Sequence, residues 1–203
     1  MPVLQSDLDI MTALKVETAD LHKRVERLMP FFNENLSFER YAGTLASFLG
    51  FYERIEHNLT KIRDWKAVGI DLYERQRAPL LRSDLRALGL TPQQIAELPR
   101  CHDLPRLEDA SDGLGCLYVL EGSTLGGQLI ARELSRRFEI DGNSGASFFH
   151  SYGFNVGGKW MEFCSVVRRY VDDSGKRSKL LSSASNTFNS FEKWMQRGVL
   201  NEQ

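Results

Sequence analysis

Hydrophobic positions recur every three or four residues along most of the chain, the spacing of amphipathic helices. From Asp9 to about Met29, Leu14, Leu21, Val25 and Leu28 mark one face, and Pro30 ends the segment. Ser37 is placed to cap the next helix, where Phe38, Tyr41, Leu45, Phe48, Tyr52, Ile55, Leu59 and Ile62 form a long apolar stripe. Pro79 predicts a break in the middle region. A short helix over Leu80–Leu88 then stops at Gly89, and Thr91-Pro92 opens another that ends at Pro99. A long helix is predicted from about Asp109 to Phe138, followed by a turn at Asp141–Gly145 and an irregular aromatic and glycine segment at Phe148–Gly158. Trp160, Phe163, Cys164, Val167, Tyr170 and Val171 mark the next helix; Leu180, Ala184, Phe188, Phe191, Trp194 and Met195 mark the last. No stretch alternates with the period of a strand, and no repeat or long linker divides the chain. The expected fold is all-α, a single domain of packed helices over residues 1–203.

Composition narrows the function. A chain of 203 residues with 42% hydrophobic and 26% charged positions can bury a full core. The net charge of −1 makes no electrostatic case for nucleic acid. No apolar run approaches bilayer length, so no membrane span is expected. The first residues lack a basic region followed by an apolar core, and no secretory leader is expected. Cys101, Cys116 and Cys164 are odd in number and have no CxxC spacing, which points to neither a disulfide framework nor a zinc site. A reducing, cytoplasmic location follows as the expectation.

Two stretches carry candidate chemistry. The first is Leu117-Tyr-Val-Leu-Glu-Gly-Ser-Thr-Leu-Gly-Gly-Gln128, in the middle of the long predicted helix. Each interior glycine costs ~1 kcal/mol against alanine, so Gly122, Gly126 and Gly127 together cost ~3 kcal/mol that something must offset. Gly122 and Gly126, four apart, share a face, with Gly127 beside them. A face without side chains suits either a close helix crossing or a flat, bulky ligand. Ser123 and Thr124 among the glycines favour the ligand. The second stretch holds His22, with Glu26 one turn on and Lys15 two turns back on the same face, ~10 Å along the axis. A metal-bound imidazole commonly gives its other N–H to a carboxylate, and a nearby lysine can pair with an anionic ligand group.

Together these motifs resemble those of the bacterial haem oxygenases, most of all the phytochrome-associated type. The matching pieces are Leu14-Lys15, Ala19-Asp-Leu-His22-Lys-Arg-Val-Glu26 and Tyr118-Val-Leu-Glu-Gly122-Ser-Thr-Leu-Gly126-Gly127. The resemblance implies a helical bundle with haem b sandwiched between a proximal N-terminal helix and a kinked, glycine-rich distal helix. It implies His22 as axial iron ligand and Glu26 as its hydrogen-bond partner. Gly122, Gly126 and Gly127 would be the distal backbone over the macrocycle. Lys15 and Tyr118 would contact the propionates, and Phe188 would be a pocket aromatic. Ser123 stands where animal members carry an Asp that organises proton-delivering water, as it does in similar bacterial members. The implied activity is opening of haem to biliverdin, carbon monoxide and ferrous iron. Haem is then substrate and cofactor at once. Electrons would come from a ferredoxin, a flavodoxin or an NADPH-dependent reductase, since the chain carries no nucleotide fingerprint. The bilin would supply a bacterial phytochrome. A haem carrier or sensor without turnover is the alternative. A thiaminase-like enzyme would need an activated core cysteine, which no spacing suggests.

Overall fold

The computed structural model describes residues 8–200. Nine α-helices are found among them: α1 (Ile10–Leu28), α2 (Phe38–Leu59), α3 (Trp65–Val68), α4 (Ala78–Ala87), α5 (Pro92–Glu97), α6 (Ala110–Phe138), α7 (Ser147–His150), α8 (Val156–Tyr170) and α9 (Ser174–Leu200). Short 3-10 turns occupy Tyr73–Arg75 and Gly153–Asn155. No strand occurs among the described residues.

Local chemistry explains most boundaries. Asp9 accepts from the Met11 amide at the start of α1, and Ser37 accepts from the Arg40 amide at the start of α2. Thr91 and Gln94 form a reciprocal capping box on α5. Asp109 accepts from the Ser111 and Asp112 amides to open α6. Three expectations change. Pro79 does not break the chain; it sits in the first turn of α4, where its missing N–H has no helical partner to lose. Helix α2 ends at Leu59, and the Leu59 carbonyl accepts from the indole of Trp65; Ile62 stays buried in the loop beyond. The segment Phe148–Gly158 is not irregular throughout: it holds most of α7, a 3-10 turn and the start of α8. The last helix forms as expected, α9 running from Ser174 past Met195.

The helices pack about one apolar core that includes Leu14, Phe31, Tyr41, Leu45, Phe51, Ile55, Leu114, Leu134, Phe163 and Leu180, all essentially closed to solvent. Helix α9 is the spine, packing along both α6 and α1. Neither α4 nor α7 has a capping side chain of its own. Each takes a buried carboxylate from elsewhere. Glu56 of α2 accepts from the Arg77 and Ala78 amides at the start of α4. Asp84 of α4 accepts from the Ser147 and Phe148 amides at the start of α7. The stack α2–α4–α7 is thus fixed by charge-assisted caps.

Burial pushes the Glu56 carboxyl up to about 7, although the two amides act against the shift. The folded state therefore holds this proton more tightly than the unfolded chain. The resulting stability is complete below the ordinary value of 4.5 and is lost as pH rises through about 7. Wild type is expected to lose up to ~3 kcal/mol relative to Glu56→Gln across that window, read from urea melts at a series of pH values. A pH-independent difference would contradict this assignment.

Candidate functional site

Helices α1 and α6 lie along α9 in the same direction. On one flank of α9, Ser183 donates to the Asp112 carbonyl and Thr187 meets Cys116. On the other, Arg177 donates to the Leu8 carbonyl, Phe188 meets His22, and Arg24 pairs with Glu192 at 3.0 Å. Tyr118 of α6 turns its hydroxyl toward Thr18 of α1, and burial raises that phenol. His22 and Gly122 each sit four residues, about 6 Å of helix, beyond this contact.

The α1 side supplies functional side chains. His22 is exposed and has its Nδ1 3.5 Å from Glu26 Oε1, which leaves Nε2 available. The Phe188 ring, buried in α9, stands edge-on to the imidazole at 5.9 Å. Lys15 is exposed on the same helix, one turn before the Thr18 that Tyr118 meets. Val16 beside it is an exposed aliphatic. The structure therefore groups His22, Glu26 and Phe188, and sets Lys15 one turn from the point where Tyr118 meets α1.

The α6 side supplies missing side chains, but its glycines divide. A Cβ at Gly126 would meet nothing within 4 Å, and one at Gly122 would only touch the Trp160 ring at 3.9 Å. A Cβ at Gly127 would come within 2.5 Å of the Phe149 carbonyl oxygen. Gly127 therefore serves the crossing of α6 with α7; its bare side is turned to Phe149, not to the open face expected for it. Gly113 and Gly115 are also packing glycines, against Trp65 and against the α9 backbone at Leu180. Leu125 and Leu129, on the side of α6 shared with Gly122, are large apolar residues left exposed.

Ser123 is exposed, and its hydroxyl donates to the Leu120 carbonyl at 2.6 Å. Its one hydrogen is committed there, so the Tyr52 hydroxyl at 3.1 Å is the donor in the second bond. Ser123 keeps one lone pair for the open side. Tyr52 is fully buried, and burial raises its phenol far above its ordinary value, so it stays protonated as an orienting donor. Thr124 bonds back to the Glu121 carbonyl and faces inward. Such back-bonds to the preceding turn bend helices.

Tyr52 and Trp160 escaped sequence reasoning because each is one more aromatic in an apolar stripe. Their roles depend on α2 and α8 meeting α6. All three cysteines are buried, and burial pushes the Cys116 thiol up to about 12, the opposite of an activated nucleophile. No cluster of three or more His, Cys, Asp or Glu side chains among the described residues could cage a bare ion. One imidazole with a carboxylate partner, beside an apolar face free of side chains, suits a metal that brings its own flat macrocycle.

Comparison with known proteins gives one consistent family. The heme oxygenase family model matches residues 8–197. A heme oxygenase from Xanthomonas campestris pv. campestris (strain 8004) is 29% identical over 153 residues, covering 74% of this chain and 87% of that protein. The NO- and CO-bound heme oxygenase from Neisseria meningitidis superposes with a TM-score of 0.77 at 19% identity, covering 94% of this chain and 92% of the other. The heme oxygenase from Leptospira interrogans superposes at 0.76 and 17% identity, covering 94% of this chain and all of the other.

The two classes of glycine separate by stability. Gly126→Ala is expected to leave the ligand-free protein as stable or up to ~1 kcal/mol more stable, since a methyl group fits and helix propensity rises. Gly127→Ala is expected to destabilise it by ~1–3 kcal/mol through the clash with Phe149. Thermal melting of both variants checks the order; equal melting temperatures would contradict it.

Proposed function

The chain belongs to the haem oxygenase family, and from that premise we propose that it opens haem to biliverdin, carbon monoxide and ferrous iron, with haem b held on the flank shared by α1 and α6. One observation carries the reading. Just past the Thr18–Tyr118 contact, one helix presents an imidazole with a carboxylate partner and the other presents bare backbone. Bound haem supplies the iron chemistry that activates dioxygen, and it is itself the molecule oxidised.

Each residue then has a part. His22 Nε2 would hold the haem iron, and Glu26 orients the ring through Nδ1. Phe188 limits rotation of the imidazole from the α9 side. Lys15 and Tyr118 would pair with the propionates and so fix the orientation of the haem. Gly122 and Gly126 let the α6 backbone approach closely and withhold any acidic side chain. Ser123 keeps an acceptor lone pair on the open side that would hold a proton-carrying water, and Tyr52 keeps the serine hydroxyl turned inward. An external ferredoxin, flavodoxin or NADPH-dependent reductase supplies the electrons. The bilin goes to a bacterial phytochrome, within the cytoplasm.

The direct test combines the protein with haemin, a reducing system and oxygen. Loss of the Soret band with appearance of a bilin is expected; a stable Soret band would end the reading. His22→Ala should lose the iron–imidazole spectrum and turnover, with partial rescue by added imidazole. Single replacements of His57, His102 and His150 should keep both.

The propionate assignment has its own signature. A lysine–carboxylate pair at an exposed rim contributes only ~0–1 kcal/mol, yet it fixes orientation. Lys15→Ala is therefore expected to change the ratio of bilin isomers more than the affinity for haemin. An unchanged ratio would remove Lys15 from the propionate edge.

A further inference from the structure

Between Leu120 and Leu134, α6 buries only Glu121, Thr124, Gly127 and Ala131. Three of these are small. The one long side chain fixing this stretch is a carboxylate. Apolar contacts among small residues resist rotation of a helix weakly, because they carry no direction. Hydrogen bonds to a carboxylate do.

Glu121 is 2% exposed and is held from several elements. Arg75 Nη1 donates to it at 2.7 Å, and the Tyr152 hydroxyl lies 2.9 and 3.1 Å from its two oxygens. Arg77 Nη2 stands 3.9 Å away, with its guanidinium over the Tyr152 ring at 4.0 Å. Arg75, also 2% exposed, continues to Glu162 of α8 at 3.1 Å. Two turns further along α6, Gln128 donates to the Gly153 carbonyl at 3.0 Å. Tyr152 and Gly153 are neighbours, so one turn grips α6 on both sides of Gly122–Gly127. That turn is held against local preference. Ser151 has φ 45° and ψ −116°, a strained conformation for a residue with a side chain, and its buried hydroxyl has no hydrogen-bond partner.

We propose that the Ser151–Gly153 turn is a clamp on the glycine segment, and that Glu121 is a positioning residue that fixes the rotation of α6 about its own axis. The clamp decides where Gly122, Ser123 and Gly126 face. Its consequence for ring opening rests on the haem reading above; the clamp itself does not.

Two variants test it. Tyr152→Phe removes the bond to Glu121 and keeps the ring beneath Arg77. Gln128→Ala removes the second grip at an exposed position and leaves every ion pair intact. In the ligand-free protein, amide hydrogen exchange over residues 121–128 is expected to quicken roughly ten- to a hundredfold with Tyr152→Phe, the factor a charge-assisted hydrogen bond controls, and by a smaller factor with Gln128→Ala. Exchange in α2 and α9 should not change. With haemin, reductant and oxygen, both variants should bind haemin near wild-type affinity and shift the bilin isomer ratio. Exchange at the wild-type rate in both variants would overturn the clamp. Faster exchange with an unchanged isomer ratio would overturn the positioning role. A wild-type protein that makes no bilin would end the haem reading, and the exchange data would still decide the clamp.

Discussion

A carboxylate taken out of water must find donors, because a buried charge without partners costs several kcal/mol. Among the described residues three are buried: Glu56, Asp84 and Glu121, each within 8% of full burial. Burial raises all three above the ordinary carboxyl range, and hydrogen-bond donors from distant segments pull each back. The requirement is mutual. The start of α4 needs an acceptor, and Glu56 needs donors; α7 and Asp84 stand in the same relation. Glu121 binds the glycine-bearing middle of α6 to Arg75 and Tyr152. Apolar burial brings the helices together, but these three acids set how they are turned.

The site divides its labour between two helices of opposite character. Helix α1 is polar on its open face and offers groups that act through what they carry: an imidazole, a carboxylate, an ammonium. Helix α6 acts there through what it omits. Gly122 and Gly126 leave the backbone bare, and Ser123 offers a single acceptor. A surface of that kind cannot hold its own position by side-chain packing. This explains why its support comes from behind, through Glu121, and from the crossing at Gly127.

The helices were legible in the sequence because their determinants are local. Asp9, Ser37, Thr91 and Asp109 announce four helix starts, and the apolar period gives their faces. Pro79 misled because proline at a first turn and proline at a break look alike without the fold. His22 with Glu26 could be read as a pair, since one turn of helix fixes their separation. Gly127 could not be told from Gly126: adjacent glycines differ only in what stands opposite, and Phe149 lies 22 residues away in sequence. Tyr52 was hidden for the same reason, 71 residues from the serine it orients. Tyr152 lay in a segment that read as irregular, and nothing local marks it as Glu121's partner.

The commitment of the Ser123 hydrogen to Leu120 gives the open face a fixed sense. The lone pair that remains on the hydroxyl is an acceptor, and the open side of the helix offers no donor from Ser123. The sense of that face is therefore set jointly with a phenol on another helix, 71 residues away in sequence, and not by α6 alone.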